Sequence, residues 1–360
     1  MMRYAIVIPT LNPDQKMTDF VDALVHAGYT DIVLVNDGSV PQTVPYFEKA
    51  SEHPQVRVLT HEVNKGKGAG LKTALRYLAE ERPDIDAAIT ADADGQHNLA
   101  SLSRCVEAYE AAPGSVIFGG REFSDKKIPF RSRFGNKISS VVYRFSCGIK
   151  LQDTQTGLRV IPSSYFEKFS TLKGDRYEYE TQMIIAVKEL QIPYQEVSIE
   201  TIYIDDNESS HFHPIKDSFR IYKIVLAYFF KFLASSLTSW LVDIGIYALV
   251  MAVFRDVWPQ TTCHLVATIA SRVISSVVNY ILNRKVVFKA VDNVRKTAVR
   301  YYILAACQML VSFVLVDLVA DKLLKVTGVL DVVIKCVVDA CLFVFSYGIQ
   351  RKWVFRNKKI

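Results

Sequence analysis

The six cysteines of this 360-residue chain (Cys105, Cys147, Cys263, Cys307, Cys336 and Cys341) include no CxxC pair. That excludes a dithiol redox site or a zinc ribbon, and thiols so scattered read as reduced and packed. The glycines at 66, 68 and 70 are not followed by G-K-[ST], so there is no Walker A loop. Leu71 stands where a dinucleotide fingerprint needs its third glycine. Counted from Asp92, the twelfth residue is Ser103, not the Glu of an EF-hand loop. His211 and His213 lack a third ligand nearby, which argues against zinc. The first apolar run, Tyr4–Pro9, is too short for a cleavable signal and reads as a strand. The net charge of +6 is small. Its Lys and Arg gather beside apolar segments, so they point to a membrane surface and not to nucleic acid.

Apolar residues, by contrast, are abundant. They make up 50% of the chain, and the mean hydropathy is +0.15. The excess is uneven, which predicts two domains. In the first half, short apolar runs (Tyr4–Ile8, Ile32–Asn36, Val56–Thr60, Ala87–Thr90, Val116–Gly119) alternate with helical stretches (Met17–Gly28, Val44–Ser51, Gly68–Glu81, Leu99–Ala111). Such alternation predicts a mostly parallel α/β sheet that binds ligands at the carboxyl ends of its strands.

The second half predicts four membrane helices, at about 232–254, 263–282, 301–319 and 332–349. Six basic residues lie in Asn283–Arg300 and five after Ile349, against one in Arg255–Thr262 and two in Ala320–Asp331. The positive-inside rule therefore places both chain ends, and the α/β domain, in the cytoplasm. The stretch 213–231 mixes Lys, Arg and aromatics like an interfacial helix. NYILNRKVVFK (279–289) and SYGIQRKWVFR (346–356) match at five of eleven positions, an offset of 67 that suggests two tandem helix hairpins. That offset aligns Arg272 with Asp339. Charges at equal depth in a bilayer are costly unless paired, so an Arg272–Asp339 ion pair is expected; Asp243 and Lys335 are the competing partners.

The unusual motifs fall at predicted strand ends. In ADADGQH (91–97), Asp92 and Asp94 are spaced to point the same way, as hard oxygen ligands for Mg²⁺ or Mn²⁺. The bland alternative is an Asx turn in which Asn98 or Asp94 caps the next helix. NKGKGAG (64–70) puts three glycines and two lysines between a strand and a helix, a backbone cradle for phosphate. NDGS (36–39) offers Asp37 to a ribose or base, although by itself it is a common turn.

With IPTLN (8–12), VNDGS (35–39), GGR (119–121) and DTQTGLR (153–159), these motifs make the chain resemble a family-2 inverting glycosyltransferase of GT-A (Rossmann-like) fold. The resemblance is to the dolichyl-phosphate mannose synthase group and its polyprenyl-phosphate hexose relatives, and it covers about residues 3–222. The four-helix part is similar to the GtrA-like membrane family, mainly at NYILNRKVVF. The resemblance implies an α/β catalytic domain over 1–212, an interfacial segment over 213–231 and an all-α transmembrane domain over 232–360. It implies that Pro9, Thr10, Asn12, Asp37, Lys67 and Asp92 meet the nucleotide and its diphosphate. Asp92, Asp94 and Gln96 would surround Mg²⁺ or Mn²⁺. Arg121, with Arg131 or Arg133 from RSRFGN, would clamp the acceptor phosphate, and Asp153 would lie near acceptor and sugar. Asp94, Asp153 and Arg121 form the implied catalytic set. The chain departs from the family where Asn12 is followed by Pro13-Asp14, and where His211 replaces a basic residue.

The implied reaction moves a hexose, with UDP-glucose or GDP-mannose as first donors, onto undecaprenyl or dolichyl phosphate at the cytoplasmic membrane face. A lipid monophosphate is largely dianionic at pH 7 and needs no strong base. Asp153 then orients arginines or sugar hydroxyls. The alternative is a flippase for lipid-linked sugar, for which the intramembrane charges Arg272, Asp317, Lys335 and Asp339 speak. Anchoring or homo-oligomer formation explains them equally. A processive polysaccharide synthase is disfavoured, since the long insert and QxxRW motif are missing.

Overall fold

The computed structural model describes residues 2–121, 130–200, 214–290, 292–324 and 329–355. For 130–134, 214–218, 320–322, 324, 329, 331 and 332 it describes the backbone alone. The chain divides into two compact units, Met1–Val225 and Leu226–Ile360.

Among the described residues, the first unit is built on seven strands: β1 (Tyr4–Thr10), β2 (Ile32–Asp37), β3 (Val56–His61), β4 (Ala87–Thr90), β5 (Val116–Arg121), β6 (Arg159–Pro162) and β7 (Tyr194–Ile199). Helices α1 (Gln15–His26), α2 (Val44–Ser51), α3 (Lys67–Glu81), α4 (Leu99–Ala111), α5 (Phe130–Ser146), α6 (Phe166–Ser170) and α7 (Glu178–Glu189) alternate with them. The central strands are apolar throughout because both faces are covered. Successive residues of β1 go to opposite cores: Ala5 and Val7 meet α3 and α7, while Ile6 and Ile8 meet α1, α2 and α4.

The strand order is β3-β2-β1-β4-β6-β5-β7. All pairings are parallel except those of β6, which runs against both β4 and β5. The sheet is therefore mixed, with one reversed strand in an otherwise parallel array. That reversal matters for the site. The carboxyl ends of β1, β2, β4 and β5 share one edge of the sheet. Because β6 is antiparallel, its beginning lies on that same edge, with Arg159 registered against Thr90. The loop before β6, which carries Asp153 and Gly157, is thereby delivered beside the residues that follow β4.

Among the described residues of the second unit, α8 (Pro214–Phe254, which begins in the first), α9 (Gln260–Leu282), α10 (Val294–Val316) and α11 (Val329–Ile349) supply four segments long and apolar enough to cross a membrane. The segments 279–289 and 346–356 form similar turns. Asn283–Val287 and Gln350–Val354 each form a π-type turn, closed by Phe288 N–H to Asn283 O at 2.9 Å and Phe355 N–H to Gln350 O at 2.8 Å. Equivalent residues also touch: Asn283 Nδ2 donates to Gln350 Oε1 at 3.2 Å, and Phe288 stacks on Phe355 at 5.1 Å.

The expected Arg272–Asp339 ion pair does not form. Arg272 reaches Asp243 of α8 at 3.6 Å, and Ser275 donates to the same carboxylate. Asp339 is satisfied by Lys335 on its own helix at 3.0 Å and by Ser312 of α10 at 2.6 Å. A neighbour one turn away and a hydroxyl across the helix pair satisfy Asp339 locally.

Candidate active site

The site forms at the carboxyl edge, and Asp92 is its meeting point. Lys67, first residue of α3, places Nζ 2.6 Å from Asp92 Oδ1 and 3.1 Å from Glu180 Oε1 of α7. His97 Nε2 lies 3.6 Å from Asp92 Oδ2. Gly157 closes the third side: a Cβ there would overlap Asp92 Oδ2 and lie 2.9 Å from its Cγ. Residues from the glycine loop, the DxD segment and the DTQTGLR loop thus converge on one carboxylate.

The electrostatics follow from this crowding. Burial would raise the pKa of Asp92, but the Lys67 ammonium and His97 outweigh it and hold the carboxyl well below the usual carboxylate range. Burial and the charge of Asp92 together raise Asp94. Asp94 also accepts the Gln96 backbone N–H at 3.0 Å. Asn98, not Asp94, caps α4, taking the Ser101 N–H at 2.7 Å. The Asp94 side chain is therefore not consumed as a helix cap.

Among the described residues, no three His, Cys, Asp or Glu side chains gather around one metal position. The donor set still suits Mg²⁺ or Mn²⁺. Two hard carboxylates lie together, one of them raised by its neighbour's charge, and a divalent cation relieves that repulsion. Such ions commonly take one or two carboxylates and fill the remainder with water and substrate phosphate.

Asp37 is buried and acts as a fastener. It accepts His61 Nδ1–H at 2.7 Å, Lys65 N–H at 2.9 Å and Gly66 N–H at 2.6 Å. His61 Nε2 in turn meets Thr73 Oγ1 at 2.9 Å. The end of β2 therefore clamps the glycine loop to α3. Gly38 is required in this turn, with φ +68° and no room for a Cβ against Val63 and Asn64. Asn12, also left-handed at φ +51°, accepts the Val40 N–H at 2.9 Å, and its own N–H donates to Ser39 Oγ. It ties the IPTLN and NDGS loops to each other. Thr10 is buried and bonds Ile8 O, while Pro9 abuts Gly70.

At the end of β5, Arg121 grips the fully buried Asp153: Nε to Oδ2 is 2.6 Å and Nη2 to Oδ1 is 3.2 Å. Glu196 of β7 supports this loop from behind, accepting the N–H groups of Gln152 and Asp153 at 2.7 Å each. Its side chain occupies the space beside Gly120, where a Cβ would lie 2.5 Å from Oε1. Burial raises the Glu196 pKa. Arg159 is buried, donates to Thr156 O and Glu180 O, and lies over Phe118.

The structure thus brings together Lys67, Asp92, Asp94 and Gln96 as one group, and Arg121 with Asp153 as another, on one sheet edge. Arg131 and Arg133 lie on α5, whose first residues are described by backbone alone; His211 lies outside the described residues. Sequence reasoning did not identify Glu180, His61, His97 or Glu196. His97 stood inside a quoted motif. The other three carry no local signal, since their partners lie 113, 24 and 43 residues away.

Residues 5–169 match the Glycosyl transferase family 2 model, and residues 226–355 match the GtrA/DPMS transmembrane domain. An uncharacterized protein of Methanocaldococcus jannaschii is 30% identical over 61% of this chain and 90% of its own length. The UDP-N-acetylglucosamine–dolichyl-phosphate N-acetylglucosaminyltransferase of Methanococcus voltae is 29% identical over 56% of this chain and 86% of its own. The polyprenol monophosphomannose synthase of Mycolicibacterium smegmatis is 28% identical over 49% of this chain and 68% of its own. The chain belongs to glycosyl transferase family 2: it is a glycosyltransferase with a GT-A domain joined to a GtrA/DPMS-type transmembrane domain.

Proposed function

We propose that this enzyme transfers a hexose, with inversion, from a nucleotide sugar to a polyprenyl phosphate at the cytoplasmic face of the cell membrane. UDP-glucose and GDP-mannose are the donors to test first, and undecaprenyl or dolichyl phosphate is the acceptor. One observation carries the reading: Lys67, Asp92 and Gly157 come from three separate motifs and meet at a single carboxylate. The relatives named for dolichyl-phosphate and polyprenol substrates support the lipid acceptor. The four apolar helices keep such an enzyme where a polyprenyl chain resides.

In this reading Asp92 and Asp94 hold Mg²⁺ or Mn²⁺. The cation supplies Lewis-acid stabilisation to the leaving diphosphate. Lys67, at the start of α3, adds a second positive charge beside the helix N-terminus. Asp37 keeps the glycine loop in the shape that admits phosphate. Arg121 presents its guanidinium to the acceptor phosphate, and Asp153 fixes that guanidinium through two contacts. An Asp so engaged orients the arginine and is not a proton acceptor; a largely dianionic phosphate needs none. Arg131, Arg133 and His211 are further acceptor contacts, and proton uptake by His211 would make acceptor affinity depend on pH near neutrality.

The test uses purified protein in detergent with Mn²⁺ and undecaprenyl phosphate, offered a panel of UDP- and GDP-sugars. Lipid-dependent release of nucleoside diphosphate from one donor, lost in Asp94→Ala, is expected. Folded protein that releases none from any donor would overturn the proposal.

One observation favours a second activity in the membrane unit. A cavity of about 830 Å³ is lined by Arg272, Asn279, Gln308, Asp317, Lys335 and Asp339, with other polar and aromatic side chains. Such a lining within apolar helices suits passage of a polar headgroup. In proteoliposomes, the Asp94→Ala enzyme should then translocate a preformed lipid-linked sugar; an inert membrane unit would leave it on its original leaflet.

A further inference from the structure

We propose that Glu180 makes donor binding conditional on the divalent cation. It holds Lys67 inside a cluster that repels phosphate until the metal arrives. The inference rests on the reading of this edge as a nucleotide-sugar site, and it assigns a role to a residue outside every recognised motif.

The start of α7 is docked onto the glycine loop. Ala69 N–H donates to Asp175 O at 2.9 Å, and Lys72 Nζ meets Asp175 Oδ1 at 2.5 Å. Gly66 and Gly68 leave no space for a Cβ against Asp175, Arg176 and Tyr179. This docking brings Glu180 to Lys67. The Glu180 main chain is itself anchored, since its carbonyl accepts from the buried Arg159 at 2.9 Å. Its carboxylate is 12% exposed, and the Lys67 side chain is 19% exposed.

Among the described residues, the charges facing this point are those of Lys67, Arg159, Asp92 and Glu180, with His97 and Asp94 beside Asp92. Two cations against three carboxylates leave one net negative charge when His97 is neutral. The Arg159 guanidinium contributes little outward, because Thr156 O and Glu180 O occupy it and its Nη2 stands 4.0 Å from Glu180 Oε1. Lys67 is likewise divided between two acids. A diphosphate approaching this cluster meets an acidic site. Asp92 and Asp94 would hold a divalent cation; the net charge here would then be positive, the hold of Asp92 on Lys67 weaker, and Glu180 would remain as the pivot from which the ammonium can turn. Glu180 is therefore a positioning residue, acting through Lys67.

The experiment measures binding of UDP and GDP to the full-length protein in detergent, by calorimetry, with Mn²⁺ and with chelator. Mn²⁺ alone is titrated in parallel. In the wild type, Mn²⁺ should strengthen nucleotide binding greatly. Glu180→Gln should narrow that ratio on the order of tenfold, through a gain in metal-free affinity, and should weaken Mn²⁺ binding several-fold, as loss of one charge at close range requires. Lys67→Gln should shift both quantities the other way. A merely structural glutamate would leave both unmoved. An unchanged ratio in folded Glu180→Gln overturns the inference while the nucleotide site stands. If Glu180→Gln does not fold, Glu180→Ala is measured in its place: the same narrowed ratio supports the inference and an unchanged ratio overturns it. A wild type that binds neither nucleotide with Mn²⁺ overturns the nucleotide-site reading and this inference together.

Discussion

Replacing Gly157 by alanine tests how closely the DTQTGLR loop backs the DxD segment. The backbone at Gly157 does not have the positive φ that favours glycine, so the added methyl acts by volume alone. That methyl would overlap Asp92 Oδ2, and it would lie 2.9 Å from both Cγ and Oδ1. Ordinary carbon contacts begin near about 3.5 Å, so the carboxylate must retreat by roughly 0.6–1 Å. It cannot retreat freely, because Oδ1 is held 2.6 Å from Lys67 Nζ. Overpacking of this kind costs about 1–3 kcal/mol of stability. In a unit of this size that is a fall of roughly 2–12 °C in melting temperature. Displacing a substrate-positioning group by about 1 Å costs on the order of 10²-fold in rate. The expected result is therefore a folded enzyme with a modest thermal loss and a turnover about two orders of magnitude lower. Gly135→Ala is the control: nothing lies within 4 Å of its new methyl, and a helical Gly→Ala change should be neutral or stabilising by about 0.5–1 kcal/mol. Thermal unfolding and nucleoside diphosphate release, measured on both variants, decide. Full activity at unchanged melting temperature in Gly157→Ala would refute the packing on Asp92.

Other expectations follow from the ion pairs. Burial raises the pKa of Asp31, but hydrogen bonds from Arg82 at 2.5 Å, Thr30 at 2.8 Å and Arg3 at 3.1 Å outweigh it, so the net shift is downward. A depressed carboxylate stabilises above its unfolded pKa of about 4, and the contribution is lost as pH falls through the lower folded value. Asp31→Asn should therefore cost about 1–3 kcal/mol at pH 7 and progressively less below pH 4 in denaturant titrations; a cost independent of pH would contradict this. In the membrane unit, an Asp243→Arg, Arg272→Asp double variant should recover expression lost in the single variants. A swap between Arg272 and Asp339 should recover none, and the reverse pattern would restore the pairing that depth alone suggested. Glu180→Gln, described above, should loosen the metal dependence of nucleotide binding.

Much of this arrangement was legible in the sequence. Strands β1 to β5 are apolar runs between helical stretches, and each ends at its chemistry-bearing motif. The reversed β6 was not legible, since RVIP is only four residues long and directly follows a motif loop. Helix α7 lacked a signal for a different reason. Eight of its residues, including Glu180 and Thr181, are buried, so no single apolar stripe marks its period. β7 alternates buried and exposed positions only loosely at the sheet edge. Within the site, the motif residues were identifiable because their spacing is local. Their partners were not: Glu180 meets Lys67 across 113 residues, and Glu196 reaches the Asp153 loop only because Gly120 has no side chain. The membrane charges show the same division. Hydropathy located the helices, but which face each helix turns to its neighbour depends on tertiary packing.

The proposed acceptor is a lipid phosphate. The most direct measurement gives the detergent-solubilised enzyme a radiolabelled nucleotide sugar, Mn²⁺ and undecaprenyl phosphate, and follows label into the organic phase. An organic-soluble product is expected, with the mass of undecaprenyl phosphate plus one hexosyl residue. It should be absent when undecaprenol replaces the phosphate and absent with Asp94→Ala. Label that enters the organic phase equally well with undecaprenol, or that remains in water as free sugar whatever lipid is offered, would contradict it.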